Sequence, residues 1–207
     1  IIDLFFNQVK EENIQLTELL GEEEKIRKIV NQIVETKLDY GKYRFTATVK
    51  YKILIQRLER MVTKALKYIV ESLVYSDFNV EGTEVEFDNG KEYKPIEITL
   101  ENGKRIEIRG KIDRVDIART SDGNYLRIID YKSSARNVDL NEVYAGISIQ
   151  LLTYLDAICE EKDLMPAGIL YFNLIEKNVN PKVKTEEAIE EEIRKQFKMK
   201  GLILADI

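Results

Sequence analysis

Near Asp77 the apolar residues stop recurring at helical spacing and begin to alternate. This change of repeat, from about 3.6 to about 2 residues, cannot occur within one element. The chain must be helical first and a sheet afterwards. The opening stretch "IIDLFFNQVK" is apolar at positions 1, 2, 5, 6 and 9, the pattern of one helix face, and it starts without a capping residue, as if the chain began inside an element. Gly21 separates it from "EEEKIRKIVNQIVETKL", where Ile26, Ile29, Val30, Ile33 and Val34 share a face and acids fill the first turn. A long basic helix is predicted from about Arg44 to Tyr75, with Leu54, Leu58, Met61, Val62, Ala65, Leu66, Ile69 and Leu73 as its core stripe.

Beyond the switch, "VEGTEVEF", "KPIEITL", "KRIEIRGKIDRVDIA" and "YLRIIDYK" read as strands of an antiparallel meander, separated by turns at Asp88-Asn89-Gly90, Asn102-Gly103 and Asp122-Gly123. One helix is predicted over "NEVYAGISIQLLTYLDAICEE" and a buried strand over "AGILYFNL" after Pro166. A final helix, "EEAIEEEIRKQFKMK", is capped by Thr185 and followed by Gly201. The order helices, strands, helix, strand, helix predicts an α/β fold, a mixed β-sheet flanked by helices. In 207 residues this amounts to one compact unit, a helical N-terminal extension over 1–76 packing on a sheet core over 77–207.

Composition narrows the chemistry. The chain is 44% hydrophobic and 33% charged, which is globular, and it contains no histidine. Ser-His and Cys-His nucleophilic sites and every His-ligated metal are thereby excluded. Catalysis would have to rest on carboxylates, lysine, tyrosine or a hard metal ion. The single cysteine, Cys159, forms no intramolecular disulfide, which suits a reducing cytoplasm. No apolar run approaches the roughly 18 residues that span a bilayer, and the start lacks a signal-peptide layout. A net charge of −5 gives no general reason to expect nucleic acid. Residues 41 to 70, however, carry Lys42, Arg44, Lys50, Lys52, Arg57, Arg60, Lys64 and Lys67 against Glu59. Such a run is more often a solvated face, but a basic helix can also touch phosphates.

The hairpin "GKIDRVDIARTSDGNYLRIIDYK" ends in Asp130-x-Lys132. That spacing alone means little, since Glu-x-Lys recurs at Glu23/Lys25, Glu35/Lys37, Glu92/Lys94 and Glu160/Lys162. If Asp122-Gly123 form a two-residue turn, Ser121 faces Asn124, Asp113 lies opposite Lys132, and Asp130 lies opposite Val115. Asp113, Asp130 and Lys132 then emerge on one face. Two adjacent carboxylates repel, and burying them unpaired is expensive; a divalent cation resolves the conflict. Oxygen ligands suit Mg²⁺ or Mn²⁺, and a lysine beside such an ion can orient or deprotonate a water, or stabilise charge building on phosphorus. The plainer reading is an Asp130–Lys132 surface salt bridge. Asp113 on the paired strand and Glu84 in "EVEF" argue against it, with Glu84 completing the metal shell directly or through water and Glu86 on the wrong parity.

The set Glu84-x-x-Phe87, Gly110-x-x-Asp113-Arg114-x-Asp116, Asp130-Tyr131-Lys132-Ser133 and Gln150-Leu151-x-x-Tyr154, in this order, resembles the PD-(D/E)XK nucleases of the RecB type. The phrases "RGKIDRVD", "RIIDYKSS" and "VYAGISIQLLTYLDA" look more specifically like the AddB family of bacterial helicase-nuclease subunits. The resemblance implies a restriction-endonuclease-like core in which Asp113, Asp130 and the Tyr131 carbonyl bind Mg²⁺ or Mn²⁺, and Asp113, Asp130, Lys132 and Glu84 form the catalytic set. Gln150, Tyr154 and Arg114 would support the site or contact DNA, with Arg109 also within reach of phosphate. It further implies a Mg²⁺-dependent deoxyribonuclease, the exonuclease of an ATP-dependent helicase-nuclease in double-strand-break processing and recombinational repair. Its partners would be DNA, an AddA-like subunit and the rest of an AddB chain, in the cytoplasm and without membrane.

Two departures stand out. RecB-type nucleases usually carry an upstream metal-ligating histidine, and there is none here; AddB proteins hold an iron-sulfur cluster, and Cys159 matches none of its cysteines. The chain therefore reads as an excised nuclease domain. The alternatives are a non-catalytic DNA-binding or subunit-docking module that retains the fold, and a stand-alone RecB-family nuclease, against which the helix-rich N-terminal third argues.

Overall fold

The computed structural model describes residues 1–40, 49–134, 137–147, 149–175 and 185–204. Along them run helices α1 (Ile2–Glu11), α2 (Glu23–Tyr40) and α3 (Val49–Val74), then strands β1 (Phe78–Phe87), β2 (Ile96–Thr99), β3 (Arg105–Ile108), β4 (Gly110–Thr120) and β5 (Gly123–Lys132). Helices α4 (Leu140–Tyr144) and α5 (Gln150–Lys162), strand β6 (Met165–Asn173), helix α6 (Glu186–Gln196) and strand β7 (Lys200–Ile203) follow. Lys42 and Arg44 of the basic run, and the expected beginning of the long helix at Arg44, lie outside the described residues.

The chain forms two compact units. The first comprises Ile1–Ser76, Ser133–Ala135 and Asn173–Lys198; the second comprises Asp77–Lys132, Arg136–Phe172 and Met199–Ile207. In the first unit, Ile26, Ile29, Val30, Ile33 and Val34 of α2 are all buried, as their spacing predicts. On α3 the stripe is buried at Val62, Ala65, Leu66, Ile69 and Leu73, whereas Leu54 and Leu58 are exposed, so the apolar face is used only in its second half. Helix α6 begins where Thr185 Oγ1 accepts the Ala188 amide at 3.3 Å, and it carries Glu186 and Glu187 in its first turn and Arg194 and Lys195 in its last. Lys67 pairs with Glu190 at 3.3 Å, and Tyr68 stacks on Phe197 with ring centroids 5.3 Å apart. The exposed ion pair adds little. The apolar stripe, at about 1.5–3 kcal/mol per buried Leu or Ile, carries the packing.

The second unit holds a five-stranded mixed sheet of order β1-β4-β5-β6-β7. The expected meander is interrupted, because β2 and β3 pair with each other as a separate hairpin while β1 pairs directly with β4, from Phe78↔Ala118 to Phe87↔Gly110. One predicted strand, "KRIEIRGKIDRVDIA", is thus split at Arg109 between β3 and β4. The long helix predicted after Leu140 is likewise split into α4 and α5, with Gly146 at φ +73° in the break. Leu151, Tyr154, Leu155 and Ile158 of α5 share a core cluster with Val115, Ile117, Leu126 and Ile128 of β4 and β5. Helix α5 thereby lies against the strands that carry the candidate residues.

Gly201, expected just beyond the last helix, is instead in β7. It pairs with Leu170 of β6, and a Cβ there would stand 2.0 Å from the Ile169 carbonyl oxygen. Its role is close strand approach, not helix termination. Gly201→Ala is expected to destabilise the chain by about 1–3 kcal/mol, because backbone rather than a flexible side chain must yield. An unchanged melting temperature would contradict this packing.

Candidate active site

The site is built at the end of the β4–β5 hairpin. The hairpin loop is Ser121-Asp122, with Thr120 paired to Gly123 and Arg119, not Ser121, paired to Asn124. The register is displaced by two residues from the predicted one. The turn is fixed by Thr120, whose hydroxyl donates to the Gly123 carbonyl at 3.0 Å and accepts the Asp122 amide at 3.3 Å. An even displacement leaves every β5 side chain on its predicted face. Leu126 and Ile128 enter the core, so Asp130 and Lys132 continue the same stripe at its end.

On β4 the alternation is irregular. Ile112 and Val115 both join the core cluster although they are three residues apart, and from Arg114 to Ala118 the strand is buried on both faces. The last ladder pair is Arg114↔Ile129, and beyond it the Asp113 carboxylate takes over, with Oδ2 accepting the Tyr131 amide at 2.7 Å. Asp113 is thereby fixed beside Asp130, not opposite Lys132 as predicted. Burial raises the pKa of its carboxyl; the Tyr131 amide opposes the rise, Asp130 and Glu84 add to it, and Lys132 opposes it. Asp130, Glu84 and Lys132 are therefore each close enough for Asp113 to feel their charge.

Lys132 Nζ lies 2.6 Å from Asp130 Oδ2 and 5.7 Å from the centre of the Tyr171 ring. Despite that ion pair, Asp130 Oδ2 is buried with no hydrogen-bond donor aligned on it. Glu84 lies between the pairs Thr83↔Arg114 and Val85↔Ile112, which places it across from Asp113. Its backbone adopts φ +56°, a left-handed conformation that costs a non-glycine residue about 1–2 kcal/mol, and its carboxylate is ion-paired with Lys111. Glu86 pairs with Lys91 at 2.7 Å.

Arg114 does not occupy the position expected of a phosphate contact. It is fully buried; Nε and Nη2 hold Asp116 at 2.9 and 3.1 Å, and Nη1 donates to the Tyr131 hydroxyl at 3.0 Å. Because strand neighbours of like parity share a face, Arg114 and Asp116 turn together away from solvent. Arg109 remains half exposed and pairs with Asp88 at 3.2 Å and Glu107 at 2.8 Å. Gln150 is exposed at the start of α5 and donates to the Tyr154 hydroxyl at 3.1 Å. Tyr154 is buried, stacks on Phe87 with centroids 4.8 Å apart, and donates to the Arg109 carbonyl at 3.4 Å.

Gly110 is the position whose role the sequence leaves unassigned. A Cβ there would stand 1.7 Å from the Tyr154 hydroxyl oxygen and 2.8 Å from its Cζ. The absent side chain is what lets α5 anchor the beginning of β4, three residues before Asp113. The signal is present as the glycine of Gly110-x-x-Asp113, but its partner on α5 is visible only in three dimensions.

Two carboxylates and a neighbouring backbone carbonyl are hard oxygen donors of the kind that hold Mg²⁺ or Mn²⁺. Among the described residues no three His, Cys, Asp or Glu side chains are grouped closely enough to hold an ion, so further donors would be backbone carbonyl, water or phosphate oxygens. A strand residue's N–H and C=O point the same way, so the Tyr131 carbonyl faces the β4 side, where its amide meets Asp113. An iron-sulfur cluster does not fit: Cys159 is the sole cysteine, buried on α5 with its thiol pushed by burial up to about 11.

Residues 3–204 match the PD-(D/E)XK nuclease superfamily. The chain belongs to that superfamily. Over its whole length it is also 38% identical to the B subunit of the ATP-dependent helicase/deoxyribonuclease of Acetivibrio thermocellus and 39% identical to that of Ruminiclostridium cellulolyticum. The match covers 19% and 18% of those proteins, so the chain spans less than a fifth of its relatives' length.

Two outcomes follow from this geometry. Gly110→Ala is expected to lower stability by about 1–3 kcal/mol, and adding Tyr154→Phe, which removes the colliding oxygen, should recover part of the loss in thermal unfolding. The raised Asp113 pKa means that the fold binds this proton more tightly than the unfolded chain does. Its charge therefore opposes folding at neutral pH, and stability falls as pH rises from the ordinary carboxylate range through the raised value. Asp113→Asn, which keeps an acceptor for Tyr131, should raise the metal-free melting temperature at pH 7 and lose that advantage in acid. An equal or lower midpoint at pH 7 would contradict the assignment.

Proposed function

We propose that the chain is the metal-dependent DNA nuclease domain of an ATP-dependent helicase-nuclease subunit, hydrolysing phosphodiester bonds in double-strand-break processing and recombinational repair. The observation that carries the reading is the 2.7 Å bond from the Tyr131 amide to Asp113, which brings a second carboxylate to the Asp130–Lys132 strand end. The superfamily supports nuclease chemistry, and the name borne by the relatives supports DNA as substrate and a helicase context.

In this reading Asp113, Asp130 and the Tyr131 carbonyl would hold Mg²⁺ or Mn²⁺. The ion supplies Lewis-acid stabilisation of the charge that develops on the phosphate oxygens. Lys132, held by Asp130, orients the attacking water and offers positive charge to the phosphate. Glu84 adds negative charge on the Asp113 side, Tyr154 and Gln150 hold the beginning of β4 in place, and Arg114 acts from inside the hairpin. An AddA-like subunit and the remainder of an AddB chain are the expected partners, in a cytoplasmic assembly. No described helix is long and apolar enough to cross a membrane.

The rival reading, a non-catalytic DNA-binding or subunit-docking module, draws on the lack of a third side-chain ligand among the described residues. One experiment separates them. Mn²⁺ titrated into the chain should bind, binding should vanish in Asp113→Ala and Asp130→Ala, and Lys132→Ala should keep binding while DNA cleavage falls by about 100-fold or more. Cleavage undiminished in all three variants would sink the nuclease assignment.

A further inference from the structure

Tyr131 joins two environments. Its amide donates to Asp113 at 2.7 Å on the acidic side, while its hydroxyl accepts from Arg114 at 3.0 Å within the fold and its ring meets Phe172 edge-on, with centroids 6.0 Å apart. Arg114 is itself clamped by Asp116 through Nε and Nη2, at 2.9 and 3.1 Å. Arg127 Nε reaches the same carboxylate at 2.9 Å, and its guanidinium covers the Phe78 ring at 4.1 Å. Arg114 and Asp116 are both 0% exposed.

An ionic trio with two members fully buried is a poor device for stability alone, since well-packed apolar residues of similar volume are commonly as stabilising or more so. What such a trio provides is direction. The Arg114 fork has fixed geometry, so with two of its arms on Asp116 the third defines where the Tyr131 hydroxyl must sit. The position matters because the last ladder pair of the hairpin is Arg114↔Ile129, and beyond it Tyr131 is tied to β4 by the Asp113 bond.

We propose that Arg114, held by Asp116 and Arg127, is a positioning residue that acts through the Tyr131 hydroxyl to fix the Tyr131 carbonyl and the Asp113 carboxylate as ligands for the divalent cation. The inference rests on the nuclease reading above. Partners one step removed from a metal orient its ligands, and their loss typically weakens affinity by about 10- to 100-fold.

The test compares the full chain with Tyr131→Phe and with the triple variant Arg114→Met/Asp116→Leu/Arg127→Met, in which the trio becomes apolar. Mn²⁺ binding is read by calorimetry, folding by metal-free thermal unfolding, and DNA cleavage by its kcat and KM. Both variants should fold, bind Mn²⁺ about tenfold or more weakly, and lose kcat with little change in KM. Their combination should bind no more weakly than either alone, since both interrupt one route. A lowered melting temperature with Mn²⁺ affinity unchanged would overturn the proposal and leave the trio a packing feature. If the triple variant does not fold, Tyr131→Phe, which removes one oxygen, decides by itself. A wild-type chain that binds no Mn²⁺ would instead remove the nuclease reading, and the inference with it.

Discussion

The hydrogen bond from the Tyr131 amide to the Asp113 carboxylate is the contact on which the candidate site depends. It forms where the β4–β5 ladder stops, one step past Arg114↔Ile129, so a side chain replaces the backbone acceptor that a regular strand would have supplied. A regular ladder would have left Asp113 free to rotate towards solvent. With its Oδ2 engaged at 2.7 Å, the carboxylate is fixed beside Asp130 in spite of the repulsion between them.

The two faces of the hairpin supply different things to that contact. On one, Leu126 and Ile128 pack with α5 through Leu151, Leu155 and Ile158, which holds the strand that delivers Asp130 and Lys132. On the other, Arg114, Asp116 and Arg127 form a buried ionic group that ends on the Tyr131 hydroxyl. Apolar packing fixes where the strand runs, because it is large and non-directional. Hydrogen-bonded charge fixes how its end is turned, because it is directional and intolerant of misplacement.

This division explains what can be read in the sequence. The period switch at Asp77 and the α2 stripe are repeats of apolar residues; the first appears as the change from α3 to β1, and the second is buried on its expected face. The sequence places the hairpin turn one residue late, since Asp122-Gly123 is the stronger local signal but Thr120 closes the loop around Ser121-Asp122. Moving the loop by one residue moves the pairing by two, so Asp130 and Lys132 keep their predicted strand face; an odd displacement would turn the β5 residues to the other face. Arg114 is illegible for a different reason. A strand arginine is usually exposed, and nothing local reveals that Asp116, Arg127 and the Tyr131 hydroxyl converge on it. Gly201 and Gly110 are equally opaque, because each is explained by an atom from a distant segment, the Ile169 carbonyl and the Tyr154 hydroxyl.

Two costs of this fold meet at the same end of the sheet. Glu84 holds a left-handed backbone, and Asp113 and Asp130 repel. At the turn end of the same hairpin, by contrast, pairing runs regularly from Thr120↔Gly123 to Arg114↔Ile129. Unfavourable terms gathered in one place are characteristic of a site whose ligand relieves them. A divalent cation would neutralise the repulsion between the two carboxylates, whereas a further salt bridge would serve only one of the two acids. The left-handed Glu84 and the Asp113–Asp130 repulsion thus mark this strand end as the part of the hairpin where a bound cation would relieve the most.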